Sequence, residues 1–367
     1  MFNREPSLRK RREPLTDSNL LLFIAGLIFV SLYIFAIIAY PGSFWQFQKF
    51  FDLFNNNAAL IILACGLSIV MVGGGIDISV GGVTAMVTMS CAVYLDSAAG
   101  NIWVSLLVAL GIGLAFGLLQ GFLVAYLEIQ PFIITLAGMF LARGLVTIIS
   151  KTSHSVANPG LRKLMANAKW EIGWLGRYAP NGTWIPLKLE IGMFIALAVV
   201  AAVVFVLKWT RFGRDLYAVG GNSQSALMLG IKVKRTKFLS YLICGLLAGI
   251  AGFVYLLKTG SGDPSHANGF EMKAIAASII GGTLLTGGVG NIIGSPIGVI
   301  TLMTIESLVI TSGLTTGRQY MQGIMTGAML GLAILLQSIV LSRRGKKLAV
   351  PQWLEAMVGG DDRYVQD

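Results

Sequence analysis

The amino-acid sequence predicts an all-α polytopic membrane protein with about ten transmembrane helices. Three observations support this fold class. Hydrophobic residues make up 55% of the 367-residue chain and charged residues only 12%, whereas soluble domains carry roughly 25% charged residues. The apolar residues form long continuous runs, which favours helices over the alternating ~10-residue strands of a membrane β-barrel. Basic residues are concentrated in a few segments between those runs.

Ten apolar segments are expected to cross the bilayer, whose hydrocarbon core requires about 20 helical residues. They are residues 20–40, 57–72, 83–95, 102–127, 131–150, 189–208, 238–257, 273–285, 292–312 and 320–340. The segments 83–95 and 273–285 are short for a complete span, so their ends and the total count stay open.

The distribution of charge predicts the orientation of the chain. The net charge is +11, and most Lys and Arg residues lie in 1–19, 208–237 and 341–367. Cytoplasmic segments of membrane proteins are enriched in these residues, so the positive charge indicates topology and not a nucleic-acid site. We therefore predict a basic cytoplasmic N-terminus (1–19), a transmembrane domain (20–340) and a cytoplasmic tail (341–367).

Two longer polar segments lie within the transmembrane domain, on opposite predicted sides. Residues 209–237 form a cytoplasmic coupling loop, and residues 151–188 form an external loop that is rich in Trp, Asn, Gly and Pro. Aromatic residues near the end of a span are typical of the membrane interface. The external aromatic residues could instead form a docking surface for an external protein, and both interpretations stay open.

A glycine-rich break, GGGIDISVGG, directly follows an apolar run. Each glycine costs a helix about 1 kcal/mol relative to alanine, and non-helical backbone at membrane depth occurs only inside protein or along a watery cavity. Asp77 in the middle of the break either caps the next half-helix, by accepting the N–H of Ser79 or Val80, or lines or gates a pathway. The candidate pathway or hinge residues are Gly73, Gly74, Gly75, Asp77, Ser79 and Gly81.

A second glycine-rich break, IIGGTLLTGGVGNIIG, lies in the other half of the chain. Two interrupted segments in the two halves of a transporter are typical of a pathway near the membrane midplane. The candidate pathway or hinge residues of this break are Gly281, Gly282, Gly287 and Gly288. Arg143 and Glu306 are further charged residues within predicted spans, and for each a partnered structural role competes with a substrate contact.

The predicted cytoplasmic loop contains a short helix with the features of a coupling element. Asn222 is a favourable N-cap and Gly230 ends the helix. Ala226, Leu227 and Leu229 provide an apolar side. Such a helix suits contact with a moving soluble partner, although an ordinary loop is the alternative. The candidate coupling residues are Gly220, Gly221, Asn222, Ala226, Gly230 and Ile231.

The sequence contains no GxxxxGK[ST] phosphate-binding loop, no HExxH metal motif and no nucleophile constellation. We therefore predict that the chain is not an enzyme and holds no metal or cofactor of its own. Any nucleotide that drives it would be bound and hydrolysed by a separate subunit.

Four stretches resemble the permease subunits of bacterial ABC importers of the ribose, xylose and galactofuranose type. In order they are GLSIVMVGGGIDISVGG, PFIITLAGMFLARGL, TRFGRDLYAVGGNSQSALMLGI and EMKAIAASIIGGTLLTGGVG. The resemblance covers roughly residues 57–340. It implies a ten-span type II importer permease with glycine-broken helices, in which residues 220–231 form the coupling helix. The family usually has ELDAIAA where this chain has EMKAIAA, so Lys273 replaces an acidic residue near the external mouth.

The resemblance also implies the partners and the location. The partners would be a cytoplasmic ABC ATPase subunit that binds ATP and Mg, an external or periplasmic sugar-binding protein, and a second permease copy or a paralogue. The predicted function is import of a monosaccharide, a pentose or hexose including furanose forms, across the bacterial inner (plasma) membrane, with both termini cytoplasmic. An ion-coupled secondary transporter of a small polar solute is the alternative, and it predicts acidic residues clustered at the midplane.

Overall fold

The computed structural model describes residues 17–97, 100–178 and 183–312, together with five isolated positions between 324 and 335. These residues form a mostly helical bundle. In chain order the helices are α1 (Asp17–Ala39), α2 (Pro41–Phe44), α3 (Phe47–Asn55), α4 (Ala58–Val72), α5 (Val80–Leu95), α6 (Ile102–Ala125), α7 (Pro131–Ile149), α8 (Pro159–Asn167), α9 (Ile191–Trp209), α10 (Arg211–Gly221), α11 (Ser223–Met228), α12 (Val233–Thr259), α13 (Phe270–Ile280) and α14 (Gly294–Thr311).

Six helices of the described segments, α1, α6, α7, α9, α12 and α14, are long and apolar enough to cross a membrane. Each of them coincides with a predicted span. A seventh span results if α3 and α4 are taken together, although they are bent by 53° at their junction; the predicted span 57–72 corresponds to α4. The prediction of a polytopic helical membrane protein is therefore confirmed, with six or seven spans.

The two short predicted spans correspond to short helices. The segment 83–95 belongs to α5, which begins three residues earlier, at Val80. The segment 273–285 corresponds to α13, which has only 11 residues and ends at Ile280 because two glycines follow. Apart from the isolated positions, the predicted span 320–340 lies outside the described residues, as do residues 1–16 and the tail 341–367. The total of ten spans stays a prediction.

Four short strands make the fold mostly helical and not all-α, so that part of the prediction is wrong. The strands are β1 (His154–Ser155), β2 (Lys169–Tyr178), β3 (Trp184–Glu190) and β4 (Ser261–Gly262). β1 pairs with β4, and β2 pairs with β3 as an antiparallel hairpin. Gln48 of α3 accepts the Lys188 N–H at 2.7 Å, and Asn55 accepts the Glu190 N–H at 3.0 Å. These two side-chain amides, which are distant in the sequence, accept the backbone N–H groups at the edge of the hairpin. The local sequence of the hairpin does not reveal these contacts.

The helix α12 lies at the centre of the bundle and packs on α4, α5 and α6. Glycines allow it to approach α6 closely: a side chain at Gly245 would lie 2.7 Å from the Gly117 Cα, and one at Gly113 would lie 2.9 Å from the Gly249 N. These GxxxG pairs therefore serve packing inside the chain, which is the usual role of small residues between membrane helices.

The bundle has two ends, which we name the α11 end and the hairpin end. At the α11 end, Lys234 at the start of α12 pairs with Glu128 in the α6–α7 connection at 2.8 Å. At the hairpin end, Lys258 near the other terminus of α12 pairs with Glu190 at 2.8 Å. Since α12 has 27 residues and a helix rises 1.5 Å per residue, the two ends are separated by roughly a bilayer thickness.

Candidate translocation and coupling site

The first glycine-rich break separates α4 from α5. Gly74 has a left-handed backbone with φ of 78°, which turns the chain after α4 ends. Asp77 lies in this turn and is only 2% exposed. Its carboxylate accepts the Ser79 N–H at 2.9 Å and the Ser79 hydroxyl at 2.6 Å. The predicted bond from Asp77 to the Ser79 N–H is therefore present, but Ser79 is itself the N-cap residue of α5 and no side chain caps the helix. Asp77 holds the turn that leads into α5. A role of Asp77 in a pathway stays a prediction.

Gln120 of α6, which the sequence analysis did not single out, contacts this break. The Ser79 hydroxyl lies 3.1 Å from Gln120 Oε1, but its single proton is already donated to Asp77, which is closer. Turning the Gln120 amide by 180° lets Nε2 donate to Ser79 instead, and hydrogen-bond partners decide such assignments. The sequence feature that could have identified Gln120 is its position as a single amide side chain between Gly117 and Gly121 in an apolar span.

The second glycine-rich break brings α13, α14 and α1 together. Gly281 and Gly294 pack backbone to backbone, and a side chain at either would overlap the carbonyl oxygen of the other. Gly282 faces α1, where a side chain would approach the Leu21 Cβ to 2.7 Å. The glycines at the start of this break thus permit close packing, and they do not line an open space.

The two breaks and the coupling element meet at one point, which we call the glycine junction (Val72, Gly74, Gly220, Gly287 and Gly288). The Gly288 N–H donates to the Val72 carbonyl at 2.9 Å. A side chain at Gly220 would overlap that carbonyl and approach Gly288 N to 2.6 Å. One at Gly287 would lie 2.8 Å from the Gly74 Cα. From the sequence, these glycines belong to two separate candidate sites, whereas the structure places them in contact.

The candidate coupling element consists of α10 and α11, which Asn222 separates. The Asn222 side chain accepts the Ser225 N–H at 2.8 Å, so it caps α11 as predicted. Gly230 has φ of 80°, and its N–H donates to the Leu227 carbonyl at 2.9 Å. The α10 residue Tyr217 donates its hydroxyl to the Gly290 carbonyl at 2.9 Å. This bond gives the coupling element a second connection to the second break.

The helix α11 and the residue after it present one buried and one exposed apolar side. Ala226 is 2% exposed and faces the bundle, whereas Leu227, Met228 and Leu229 are 64%, 88% and 80% exposed. The sequence analysis placed Ala226, Leu227 and Leu229 on one side, and the structure separates them because Ala226 packs inward. Three adjacent exposed apolar residues at the tip of a polar loop indicate a surface that another protein covers.

A cavity of about 690 Å³ lies between the first break and the α11 end. Its wall includes Gly73, Gly74, Gly75 and Tyr241, together with parts of α11, the start of α12 and the α6–α7 connection. Tyr241 donates its hydroxyl to the backbone carbonyl of Ile76 at 3.1 Å. Three of the predicted pathway glycines therefore lie on the surface of a cavity.

The ion pair of Glu128 and Lys234 lies in the wall of the same cavity. The hydrogen bond and positive charge of Lys234 lower the pKa of the Glu128 carboxyl below its ordinary value. Glu128 also has a left-handed backbone, with φ of 56°, which is uncommon for a residue other than glycine. The ionised pair joins the α6–α7 connection to the first turn of α12.

The charged residues of the predicted spans have protein partners. Lys273 of α13 pairs with Glu306 of α14 at 3.0 Å, and both side chains are less than one-fifth exposed. Arg143 of α7 donates to the carbonyls of His266 at 2.7 Å and Ala267 at 2.9 Å. The partnered interpretation of Arg143 and Glu306 is therefore the one the structure supports. Lys273, where the resemblance implies an acidic residue, has the carboxylate of Glu306 as its counter-charge.

Replacing Glu306 by glutamine is expected to destabilise the folded chain by about 3 kcal/mol, because it leaves the Lys273 ammonium largely buried without a counter-charge. The measurement is the thermal unfolding midpoint of the detergent-solubilised protein, with the loss of folded protein on heating monitored by size-exclusion chromatography. The charge-reversed double variant Lys273→Glu/Glu306→Lys is the matched control, and it should recover most of the loss. A single variant with the parental midpoint would contradict this role of the pair.

A helical membrane bundle with two glycine-broken segments in contact with a short exposed helix is typical of a membrane permease, a protein that moves a solute across the bilayer. Comparison with known proteins then gives the family. The family described as "Branched-chain amino acid transport system / permease component" matches residues 49–334, and the chain belongs to this family. It is a permease component of an ABC transport system and is not a catalytic subunit.

The curated relatives are similar over most of their length. The inner membrane ABC transporter permease protein YjfF of Escherichia coli (strain K12) is 35% identical over 87% of this chain and 92% of its own. The fructose import permease protein FruG of Bifidobacterium longum (strain NCC 2705) is 34% identical over 90% and 94%. The ribose import permease protein RbsC of Escherichia coli (strain K12) is 33% identical over 81% and 87%. No solved structure matches the chain.

Proposed function

We propose that the chain is the permease subunit of an ATP-driven importer that carries a monosaccharide across the bacterial inner membrane. The relatives named above include a fructose and a ribose import permease, which supports a sugar as the cargo. The observation that carries the mechanism is the glycine junction, because it joins the coupling element to both breaks through direct backbone contacts. No flexible side chain lies between these backbones that could absorb a movement.

The proposed orientation places the α11 end in the cytoplasm and the hairpin end outside, with both termini cytoplasmic and ten spans of the type II importer arrangement. The concentration of basic residues in 208–237 supports this orientation. In it, the exposed residues Leu227, Met228 and Leu229 face a cytoplasmic ABC ATPase subunit, which binds ATP and Mg. An external sugar-binding protein delivers the cargo, and a second permease copy or a paralogue completes the pathway.

The mechanism follows from the contacts of the coupling element. When the ATPase subunits close on ATP, they displace α11 and with it Gly220. Because Gly220 touches Val72 and Gly288 directly, the displacement moves the ends of both breaks together. Movement of Gly73, Gly74 and Gly75 changes the wall of the 690 Å³ cavity, which would open or close the cytoplasmic exit. Alternating access then results from rigid movement about the breaks.

The test of the proposed function is reconstitution in proteoliposomes. The chain is purified from native membranes in mild detergent with its ATPase subunit, and uptake is measured for a panel of monosaccharides with the external binding protein. ATP-dependent uptake of one sugar, and stimulation of ATP hydrolysis by its loaded binding protein, support the proposal. Recovery of the chain without an ATPase, together with uptake that follows a proton or sodium gradient, would favour a secondary transporter instead.

Replacing Gly230 by proline is expected to uncouple ATP hydrolysis from transport. Proline cannot adopt the φ of 80° at this position and removes the N–H that bonds to Leu227. We expect uptake to fall at least about ten-fold while membrane insertion and basal ATP hydrolysis persist. The matched control is Gly230→Asn, since asparagine tolerates the left-handed conformation, and it should keep most of the uptake. Parental uptake in the proline variant would rule out this role of the loop.

A further inference from the structure

Two buried polar side chains near the start of α5 each have one atom without a hydrogen-bond partner within the described segments. The rest of each group is bonded: the Glu271 carboxylate accepts the backbone N–H groups of Gly269 and Glu271, and the Gln120 amide contacts Ser79. One oxygen of Glu271, Oε2, has no donor, although Glu271 is only 7% exposed. The outer atom of the Gln120 amide also has no partner, and Gln120 is 2% exposed. A buried polar group without a partner is costly, so both positions require an explanation beyond packing.

The unpartnered carboxylate oxygen of Glu271 lies where two helices begin. Glu271 is in the first turn of α13, and its Oε2 rests on the backbone of Gly81 in the first turn of α5, where a side chain would overlap it. Helix N-termini carry partial positive charge, which suits a carboxylate. The guanidinium of Arg143 attracts Glu271, but it donates its hydrogen bonds to the backbone carbonyls of Pro264, His266 and Ala267.

The outer amide atom of Gln120 lies on another side of α5, where this helix begins against α7. It rests against Gly138 of α7, where a side chain would overlap it, and Gly138 also faces the Ser79 Cβ. One turn further along, a side chain at Gly82 would lie 3.0 Å from the Met139 carbonyl oxygen. The start of α5 therefore lies against α7 through Gly82 and Gly138 and against α13 through Gly81, and we call these three glycines the glycine seam. The unpartnered atom of Gln120 lies at Gly138, and that of Glu271 lies at Gly81.

The glycine seam connects the cavity with the loop beyond α12. Asp77 and Ser79, on the side of the seam towards the α11 end, belong to the break whose glycines form part of the cavity wall. On the opposite side of the seam, Ala267 and Glu271 adjoin the polar loop 260–269, to whose backbone carbonyls Arg143 donates hydrogen bonds. Small residues keep the seam free of bulky side chains, so a modest separation of α5 from α7 and α13 would expose the Gln120 amide and the Glu271 carboxylate to one common space.

We propose that Gln120 and Glu271 bind hydroxyl groups of a neutral polyhydroxyl cargo as it passes along the glycine seam. A carboxylate accepts hydroxyl protons, and an amide both donates and accepts, so the pair matches a sugar. The guanidinium of Arg143 is engaged by backbone carbonyls, which leaves it poorly placed to pair with an acidic or phosphorylated cargo. This inference rests on the proposed function, because it identifies the groups that contact the proposed cargo.

The test compares wild type, Glu271→Gln and Gln120→Met in reconstituted ATP-driven uptake. The binding protein is supplied at saturation in its loaded form, so that its own selectivity does not enter the rate. Uptake is measured for the transported sugar and for its monodeoxy analogues. If these side chains bind hydroxyls, the preference of wild type for the parent sugar over one analogue falls at least about five-fold in each variant.

A purely structural role gives a different result. Uptake of all sugars would then fall by one common factor, with unchanged preference, and the inference would be overturned. If the Glu271→Gln variant does not insert into the membrane, the sugar preference of the Gln120→Met variant alone tests the inference. The control is Thr135→Val on α7, since the Thr135 hydroxyl is buried but bonds within its own helix to the Pro131 carbonyl at 2.8 Å. If wild type shows no ATP-driven sugar uptake, the proposed function itself fails, which is distinct from unchanged preference in an active transporter.

Discussion

Replacing Gly220 by valine is expected to abolish ATP-driven uptake. The valine Cβ would overlap the Val72 carbonyl oxygen and lie 2.6 Å from the Gly288 N. Both neighbours are backbone atoms, and those two residues are themselves joined by a hydrogen bond of 2.9 Å. Because neither atom can rotate away, the added side chain must separate the coupling element from both breaks. Overpacking of this kind costs about 1–3 kcal/mol or more, and here the cost falls on the proposed coupling contact.

The measurements for Gly220→Val are ATP-dependent uptake and sugar-stimulated ATP hydrolysis in proteoliposomes. Gly221→Ala provides a local comparison, because a Cβ at Gly221 would meet no atom within 4 Å, and it should retain uptake. Gly111→Ala on α6, also with open space around its Cβ, controls for the loss of a glycine as such. Equal loss of uptake in Gly220→Val and Gly221→Ala would show that close contact at the glycine junction is not the requirement.

Replacing Asp77 by alanine is expected to loosen the start of α5 and to lower uptake about ten-fold, because the Ser79 N–H then lies buried without an acceptor, at a cost of about 1–3 kcal/mol. The Ser79 hydroxyl can still bond to the Gln120 amide, but the Cys244 thiol, which also bonds to the Asp77 carboxylate, loses its acceptor together with the Ser79 N–H. We expect a lower thermal midpoint of the detergent-solubilised chain and a smaller inserted fraction. Both effects follow from the burial of Asp77, which is 2% exposed.

Asp77→Asn separates the two roles that the sequence left open for this residue. Asparagine keeps an acceptor oxygen for the Ser79 N–H but carries no charge. If accepting the Ser79 N–H is the role of Asp77, the asparagine variant keeps the parental thermal midpoint and most of the uptake. If uptake is lost in Asp77→Asn while the midpoint is unchanged, the charge itself serves the pathway, and the structural explanation is insufficient.

The sequence predicted those features that depend on composition and local chemistry. Apolar runs identified the long helices, since about 20 apolar residues in a row have few other stable arrangements. Asn222 and Gly230 were identified as the limits of α11 because capping and left-handed backbone depend on residue type at single positions. The bond from Asp77 to the Ser79 N–H was predicted for the same reason, from its distance of two residues to Ser79.

The features that the sequence did not predict depend on contacts between distant segments. The β2–β3 hairpin is supported by Gln48 and Asn55, more than 130 residues away, and its own residues read as a loop. Gln120 is a single amide in an apolar span, and only its proximity to Ser79 shows its relevance. The partner of Lys273 is Glu306 on another helix, and no local pattern relates the two.

The sequence by itself determined the polytopic helical character, the six long spans, the two glycine-rich breaks and the short capped helix between the basic segments, but not the four strands. Only the tertiary structure decided that the breaks and the coupling element form one site. Glycine has no side chain whose polarity or spacing could indicate a partner, so its contacts are visible only when the backbones are in place. The same reason explains why Gly220, Gly287 and Gly288 were recognised as candidates but not as neighbours.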